Sequence, residues 1–523
     1  MLRVGSSSRP SRRKSPKARA AEPGGSRRVV ATNRRSSHQT TSAWFGIGVT
    51  DARCSGGDVV TSTVRKPPPF LLPEFCKGCG RCIAACTKEC ISLGTEINPL
   101  TGLVPVVLDL TECNHCELCV EACPEPFGLR PEGEEEAFVL LDPAHLNGPR
   151  PYDAPTPEPD PDVTIALPER APLVVKGTYA AAVGAVLAGC RHVFGYPITP
   201  STEGAELMAK VQPVLDGVFL QAVSEIATVN MMYGAGGAGK RCMTFTSSPG
   251  FSLMLEGISY MIGAEVPAVF VNIMRGGPGL GNIGPAQADI KLACRGLGHG
   301  NTHAIVLAPA TPQEMLDSAV LSFELAFKYR NPVVILGDGY LGQMTGKVSL
   351  PDRMVVPGIP EWAVYGDHSH RGNLICSIEL SEVGLERHNQ ALDEKYAQMT
   401  AEEQRADLHR CDDADIVLVA CNTPAQMAKG AVKELRDKGL RVGLLRPITL
   451  WPFPIDALRG VIGQARRLVV VEASEGQLED ELRLALSHAE VHAPPISHVR
   501  RQGGILPSQA EVVEHVLGLE GVQ

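Results

Sequence analysis

The sequence predicts an α/β protein of doubly wound parallel sheets, preceded by a small α+β unit rich in cysteine. Three observations carry that fold class. Between residues 173 and 348, short apolar runs alternate with helical stretches, the order that packs crossover helices onto a parallel sheet. A second, shorter alternation starts near Ala414. Ahead of both, the spacing Cys-x2-Cys-x2-Cys-x3-Cys occurs twice within residues 76–123. At 523 residues the chain exceeds a single core, so several domains are expected.

Residues 1–66 are rich in Arg, Ser, Pro and Gly and carry 14 Lys and Arg against 3 Asp and Glu. Such a stretch buries too little apolar surface to offset its ordering entropy, so it reads as a disordered tail. Its acid-poor, Arg/Ser-rich composition has the look of a transit peptide, and a start placed too early would give the same look. Residues 67–130 form the cysteine-rich unit. Residues 131–170 turn acidic and then proline-rich, the composition of a stiffened linker.

The first alternation, 171–348, predicts strands at 192–196, 218–223, 242–246, 268–273, 304–308 and 333–336. Helices are predicted at 178–188, 203–210, 225–236, 251–262 and 312–329. Residues 349–410 lack this order, although 387–410 reads as a polar helix linking two domains. The last domain, 411–523, begins with the strand IVLVAC and a helix near 424–438. The strands RVGLLR and RLVVVE, a helix near 478–488 and a strand near 496–499 follow.

Several function classes are disfavoured. The net charge is −9, and residues 67–523 carry 35 Lys and Arg against 55 Asp and Glu, which gives no reason to expect nucleic-acid binding by the folded part. No apolar run reaches the roughly 18 residues of a membrane helix, so no membrane span is expected. Nine of the 16 cysteines are bunched at fixed spacing without a secretion signal, which reads as metal ligation in a reducing compartment. A cytoplasmic location is expected. Cys190, Cys242, Cys294, Cys376, Cys411 and Cys421 are scattered and read as small core residues.

The first cysteine run is Cys76, Cys79, Cys82 and Cys86. The second is Cys113, Cys116, Cys119 and Cys123, followed by Pro124. This resembles a bacterial two-cluster ferredoxin. The resemblance implies two 4Fe–4S clusters, with three ligands from one run and the fourth from the other. One cluster would take Cys76, Cys79, Cys82 and Cys123, and the other Cys113, Cys116, Cys119 and Cys86. A pair of zinc sites is the competing reading, since Cys-x2-Cys also binds zinc. Thr87 stands where proline is usual, and Cys90 is an extra cysteine, readable as a buried bystander or a swapped ligand. LVPVVLDL, between the runs, reads as a short strand.

Three motifs mislead. GAGGAGK at 234–240 nearly spells a P-loop, but Arg241 occupies the magnesium-binding Ser/Thr position and the run follows a helix. GLGNIG at 279–284 spells GxGxxG without a helix behind it. Gly337-Asp338-Gly339 begins like the diphosphate motif of thiamine enzymes, but the nearest partner, Asn373, lies too far on, so it reads as a strand-end turn.

The remaining stretches, FGYPITPSTE at 194–203 and EGISYMIGAEVPAVFVNIMRGGPGLG at 256–281, resemble the alpha subunit of the 2-oxoacid:ferredoxin oxidoreductases. The resemblance is closest to the branched-chain, 2-oxoisovalerate type. The cysteine-rich unit resembles the delta (ferredoxin) subunit of these complexes, fused in front. This implies a pyrimidine-type thiamine diphosphate domain at 171–348 and a transketolase-C-terminal-like domain at 411–523, to which packing and assembly are assigned. It implies oxidative decarboxylation of a 2-oxoacid with CoA, giving acyl-CoA, CO2 and reduced ferredoxin. It also implies beta and gamma partner subunits, with thiamine diphosphate and Mg shared with the beta subunit.

Glu225 matches the family's activating glutamate, whose carboxylate bonds ring N1′ of the cofactor. Thr199 matches the threonine contacting the substrate's carboxylate and carbonyl. Arg275 matches the arginine near that carboxylate, where a guanidinium can donate two parallel hydrogen bonds. Tyr196 and Pro197 are expected beside the cofactor. For Glu225 a plain helix-start charge is the competing reading, for Thr199 a helix cap, and for Arg275 an ion pair with a partner. A different 2-oxoacid, such as 2-oxoglutarate, and a non-catalytic electron-transfer role are the alternative functions. Intact Thr199, Glu225 and Arg275 argue against the second.

Overall fold

A computed structural model describes residues 66–98, 101–125, 128–132, 160–367 and 369–519. The expectations for residues 1–65 and for most of the linker lie outside these. The chain divides into two compact units, between Val139 and Leu140.

In the first unit the two cysteine runs each lead into one short helix, Arg81–Ala85 and Leu118–Ala122. Two two-stranded antiparallel ribbons frame them. One pairs Pro69–Leu71 with Leu129–Pro131, and the other pairs Ile91–Leu93 with Val106–Leu108. The strand expected within LVPVVLDL is therefore present, shortened to three residues.

In the second unit a seven-stranded sheet holds, in order, Thr449–Trp451, Ile305–Leu307, Val333–Asp338, Val269–Met274, Cys242–Thr246, His192–Gly195 and Val218–Gln221. All pairings are parallel except that of Thr449–Trp451 at the edge. The central strands are buried on both faces, which is why they read as unbroken apolar runs. A five-stranded sheet holds Ala406–His409, Val442–Pro447, Ile416–Val419, Arg467–Glu472 and Ile496–Arg500, with only the first pairing antiparallel.

The expected domains 171–348 and 411–523 fall in one unit, and one apolar core runs through both, from Phe194 and Phe270 to Leu445 and Leu482. A polar joint holds their strand ends together. The buried Asp338 carboxylate accepts hydrogen bonds from the backbone N–H groups of Tyr340 (2.9 Å) and Leu341 (3.0 Å), capping the helix Gly339–Gln343. It also accepts from Thr423 N (2.8 Å) and Thr423 Oγ1 (2.9 Å), at the start of the helix Asn422–Asp437. Burial pushes its pKa up, against the pull of these bonds. The Gly337-Asp338-Gly339 stretch is thus a strand-end turn with a structural task.

Three expectations need correction. Residues 163–166 are not linker: the strand Val163–Ala166 pairs antiparallel with Arg353–Val356. That second strand lies in the segment expected to be irregular, and its polar helix runs Glu382–Glu402. Proline-rich flanks hid the first strand, because a two-stranded ribbon needs no long apolar run. Cys376 is exposed, not core, whereas Cys190, Cys242, Cys294, Cys411 and Cys421 are buried.

Replacing Asp338 by Ala removes four acceptor contacts and leaves their donors buried, which should cost about 3 kcal/mol. Urea unfolding followed by tryptophan fluorescence checks this; an unchanged midpoint would show that the joint contributes nothing.

Candidate cofactor and substrate site

The expected site residues sit where parallel strands end, the position at which open α/β sheets gather loops. His192–Gly195 delivers Tyr196, Pro197 and Thr199. Val218–Gln221 delivers Glu225, and Val269–Met274 delivers Arg275. A backbone bond from Ala222 N to Gly195 O (2.9 Å) ties the first two loops together.

Glu225 is the first residue of the helix Glu225–Gly237, whose N-cap, Ser224, accepts a hydrogen bond from Ala227 N. The residue is only 5% exposed, yet its carboxylate makes no hydrogen bond or ion pair among the described residues. A carboxylate placed only to favour the helix dipole has no need of burial. It packs against Gly250 in the neighbouring helix Ser248–Gly263: a Cβ there would lie 2.6 Å from Glu225 Oε1 and 2.5 Å from Thr246 Oγ1. Thr246 Oγ1 and Ser247 Oγ are themselves buried without partners. An unpartnered acid, two unpartnered hydroxyls and a glycine that keeps the space open fit a site built for a polar ring.

Arg275 is 7% exposed. Its guanidinium donates to two backbone carbonyls, Thr199 O (2.9 Å, from Nη1) and Leu280 O (3.2 Å, from Nη2). Among the described residues it forms no ion pair, and its Nε–H has no partner. The arginine therefore fixes the Thr199 loop while keeping donors in reserve. The Thr199 side chain is exposed and is not a helix cap; the capping position of Thr202–Val211 belongs to Ser201, whose hydroxyl turns back to Ile198 O (2.8 Å). Tyr196 and Pro197 are exposed at the mouth.

Sequence reasoning missed the residues that hold this arrangement. Ser248 Oγ accepts from Arg275 N (3.0 Å) and donates to Asp289 Oδ2 (2.5 Å). Asp289 is buried, accepts also from Asn272 Nδ2 (2.9 Å), and has its pKa raised by burial. The loop returning from Arg275 is turned by Gly281, at a φ of 57°, where a Cβ would strike Gly276 O. Its far end is clamped to the second sheet: Gln287 N donates to Ala473 O (2.9 Å), and Ala473 N donates to Gln287 Oε1 (2.7 Å). Beside Arg275 lies a cavity of about 340 Å³, with Ser248, Asp289, Ser474 and Glu475 among its walls.

In the first unit, one cavity is lined by Cys76, Cys79, Cys82 and Cys123, and a second by Cys86, Cys113, Cys116 and Cys119 together with Cys90. Each therefore draws thiols from both runs. Backbone N–H groups already face sulfur, with Val106 N 3.4 Å from Cys76 Sγ and His115 N 3.5 Å from Cys113 Sγ, the polarity that tunes thiolate-bound clusters. The thiols surround these spaces, and among the described residues no three ligand side chains converge on a point fit for a single ion. The chemistry of the donor set suits an iron–sulfur cube.

Family models match three segments: a thiamine diphosphate-binding domain of pyruvate flavodoxin/ferredoxin oxidoreductase at residues 183–406, core domain II of pyruvate:ferredoxin oxidoreductase at 414–512, and a 4Fe-4S dicluster domain at 75–126. The ketoisovalerate oxidoreductase subunit VorB of Methanothermobacter thermautotrophicus is 45% identical over 350 residues, 66% of this chain and 98% of that protein. The chain belongs to the 2-oxoacid:ferredoxin oxidoreductases. It is an alpha-type subunit with an N-terminal 4Fe–4S domain, in a family of enzymes that act as multi-subunit complexes. The 2-oxoglutarate synthase subunit KorA of Methanocaldococcus jannaschii is 36% identical, over 66% of this chain and 99% of its own. Among solved structures, the 2-oxoglutarate:ferredoxin oxidoreductase of Magnetococcus marinus, with 2-oxoglutarate, coenzyme A and succinyl-CoA bound, superposes with a TM-score of 0.61 at 26% identity. That match covers 68% of this chain and 66% of the other. No helix among the described residues is long and apolar enough to cross a membrane.

Gly250→Ala would drive a methyl group into Glu225 Oε1 and Thr246 Oγ1. It should weaken thiamine diphosphate binding by the assembled enzyme at least about tenfold, or 1.4 kcal/mol, with visible iron–sulfur absorption unchanged. Calorimetric titration with the cofactor reads this directly.

Proposed function

We propose that this chain is the ferredoxin-fused alpha subunit of an oxidoreductase that decarboxylates a branched-chain 2-oxoacid with CoA and passes the electrons to ferredoxin. Glu225, a largely buried residue whose carboxylate has no partner among the described residues, carries the reading. A carboxyl so placed has an oxygen free to hydrogen-bond ring N1′ of an aminopyrimidine, and thiamine diphosphate supplies the carbanion chemistry once bound. Arg275 fixes the Thr199 loop through the Thr199 carbonyl, so the free Thr199 hydroxyl and the spare Arg275 donors face the 2-oxoacid carboxylate together. Tyr196 and Pro197 border the cofactor ring. Cys76, Cys79, Cys82 and Cys123 hold one 4Fe–4S cluster, and Cys86, Cys113, Cys116 and Cys119 hold the other.

Diphosphate and Mg belong to a beta subunit in this reading. The loops around the site support such a partner. Val223 is 87% exposed and Leu280 82%, and Ile226, Leu253 and Ile283 are exposed near them. Apolar side chains crowded at the mouth of a polar site are the mark of a covered surface. A gamma subunit completes the complex, and the location is cytoplasmic.

The branched-chain substrate rests on two supports. Identity is higher to the ketoisovalerate subunit than to the 2-oxoglutarate subunits, at 45% against 36%. Arg275 is also the sole cation among the described residues lining the adjoining cavity, which carries the acidic Asp289 and Glu475. A second substrate carboxylate would meet like charge there. The Magnetococcus structure, bound to 2-oxoglutarate, favours that acid as the second reading.

A substrate panel on the complex assembled with beta and gamma subunits decides between them. Viologen reduction should be fastest with 2-oxoisovalerate and CoA; turnover confined to 2-oxoglutarate would reject the branched-chain assignment. Glu225→Gln should lower kcat by roughly 10²-fold or more with the cluster spectrum intact, and full activity in that variant would remove Glu225 from the chemistry.

A further inference from the structure

The two thiol cavities of the first unit are not equivalent. The first is lined by four cysteines and the second by five, the fifth being Cys90. The chain brings it there by a tight return. After Cys86 closes the helix Arg81–Ala85, Glu89 takes a left-handed conformation (φ 53°) and its N–H bonds to Cys86 O (3.3 Å). The next residue is then folded back onto the ligand: Cys90 N donates to Cys86 Sγ at 3.3 Å. Cys90 is 5% exposed, and its own thiol reaches Lys88 O at 3.5 Å and the Cys86 sulfur beside it. A thiol is a weak donor, so little holds it in that direction.

We propose that Cys90 is a reserve ligand for the cluster of the second cavity, able to take the iron held by Cys86. This rests on the assignment of two 4Fe–4S clusters to the cysteine runs. The exchange is a ligand substitution without redox change. The iron–sulfur bond to Cys86 breaks and one to Cys90 forms; the proton of the Cys90 thiol passes to the departing Cys86 thiolate. The Cys90 and Cys86 sulfurs are within hydrogen-bonding reach of each other and line the same cavity, so the cube need not move far. In the first cavity, among the described residues, no comparable thiol stands behind Cys123: the segment after it runs through Pro124 and Glu125, and Gly128 packs against its sulfur.

The test compares ligand deletions in the two cavities of the full-length chain, prepared without oxygen. The unmodified chain should contain about eight irons and eight sulfides; a lower count would remove the two-cluster assignment itself, separately from the proposal. Cys123→Ala should fall to about four irons. Cys86→Ala should keep about eight, with an altered electron paramagnetic resonance spectrum on reduction, and Cys86→Ala/Cys90→Ala should fall to about four. If Cys86→Ala alone, folded by circular dichroism, falls to about four like the double variant, Cys90 is only a packed core residue. Should Cys86→Ala fail to fold, Cys90→Ala decides. On exposure to air it should lose its first four irons several-fold faster than the unmodified chain, and equal rates would overturn the proposal.

Discussion

The Ser248 hydroxyl holds together the end of the large sheet that carries the candidate site. It accepts from the Arg275 backbone and donates to the buried Asp289, so one oxygen joins the start of a helix, the end of a strand and the returning loop. Everything else at the site follows from that triangle. With its backbone fixed, the Arg275 side chain can reach across to the Thr199 carbonyl. With the helix start fixed, Gly250 leaves room for the Glu225 carboxylate. Residues far apart in the chain are thus positioned together, Thr199 through its carbonyl and not through its side chain.

The second sheet enters this arrangement through the same loop. Gln287 makes two bonds with Ala473, just past the strand Arg467–Glu472, one through its backbone N–H and one through its side-chain oxygen, and Asp338 reaches Thr423. Each contact joins the end of a strand to a loop or a helix start, where backbone groups have no ladder partner. Burying them demands full satisfaction, because an unpaired polar group there costs as much as a lost hydrogen bond. The C-terminal region is therefore part of the scaffold that sets the arginine loop, and it shares one apolar core with the region in front of it.

Much of this was legible from residue order alone. Strands such as 242–246 and helices such as 312–329 match the observed elements residue for residue, because both are long, periodic and buried. Thr199, Glu225 and Arg275 are named through the resemblance of their stretches to the oxidoreductase alpha subunits, and each lies in a loop or helix start that follows an apolar strand. Ser248, Gly250 and Asp289 could not be picked out: a Ser-Ser-Pro-Gly turn looks like any strand-to-helix connection, and Asp289 sits in a loop without periodicity. The strand Thr449–Trp451 escaped for a different reason. Its pairing with Ile305–Leu307 is long-range, and a three-residue strand leaves no local pattern to read.

That edge strand has a consequence for how the chain is made. The large sheet runs from Val218–Gln221 to Thr449–Trp451, and its last member leaves the ribosome long after the other six. Until it arrives, Ile305–Leu307 presents a bare row of backbone donors and acceptors, a template for pairing with another nascent chain. A fragment ending near residue 410 would keep that exposed edge permanently. The C-terminal segment thus covers, in the finished chain, the edge at which the sheet would otherwise offer itself to a neighbour.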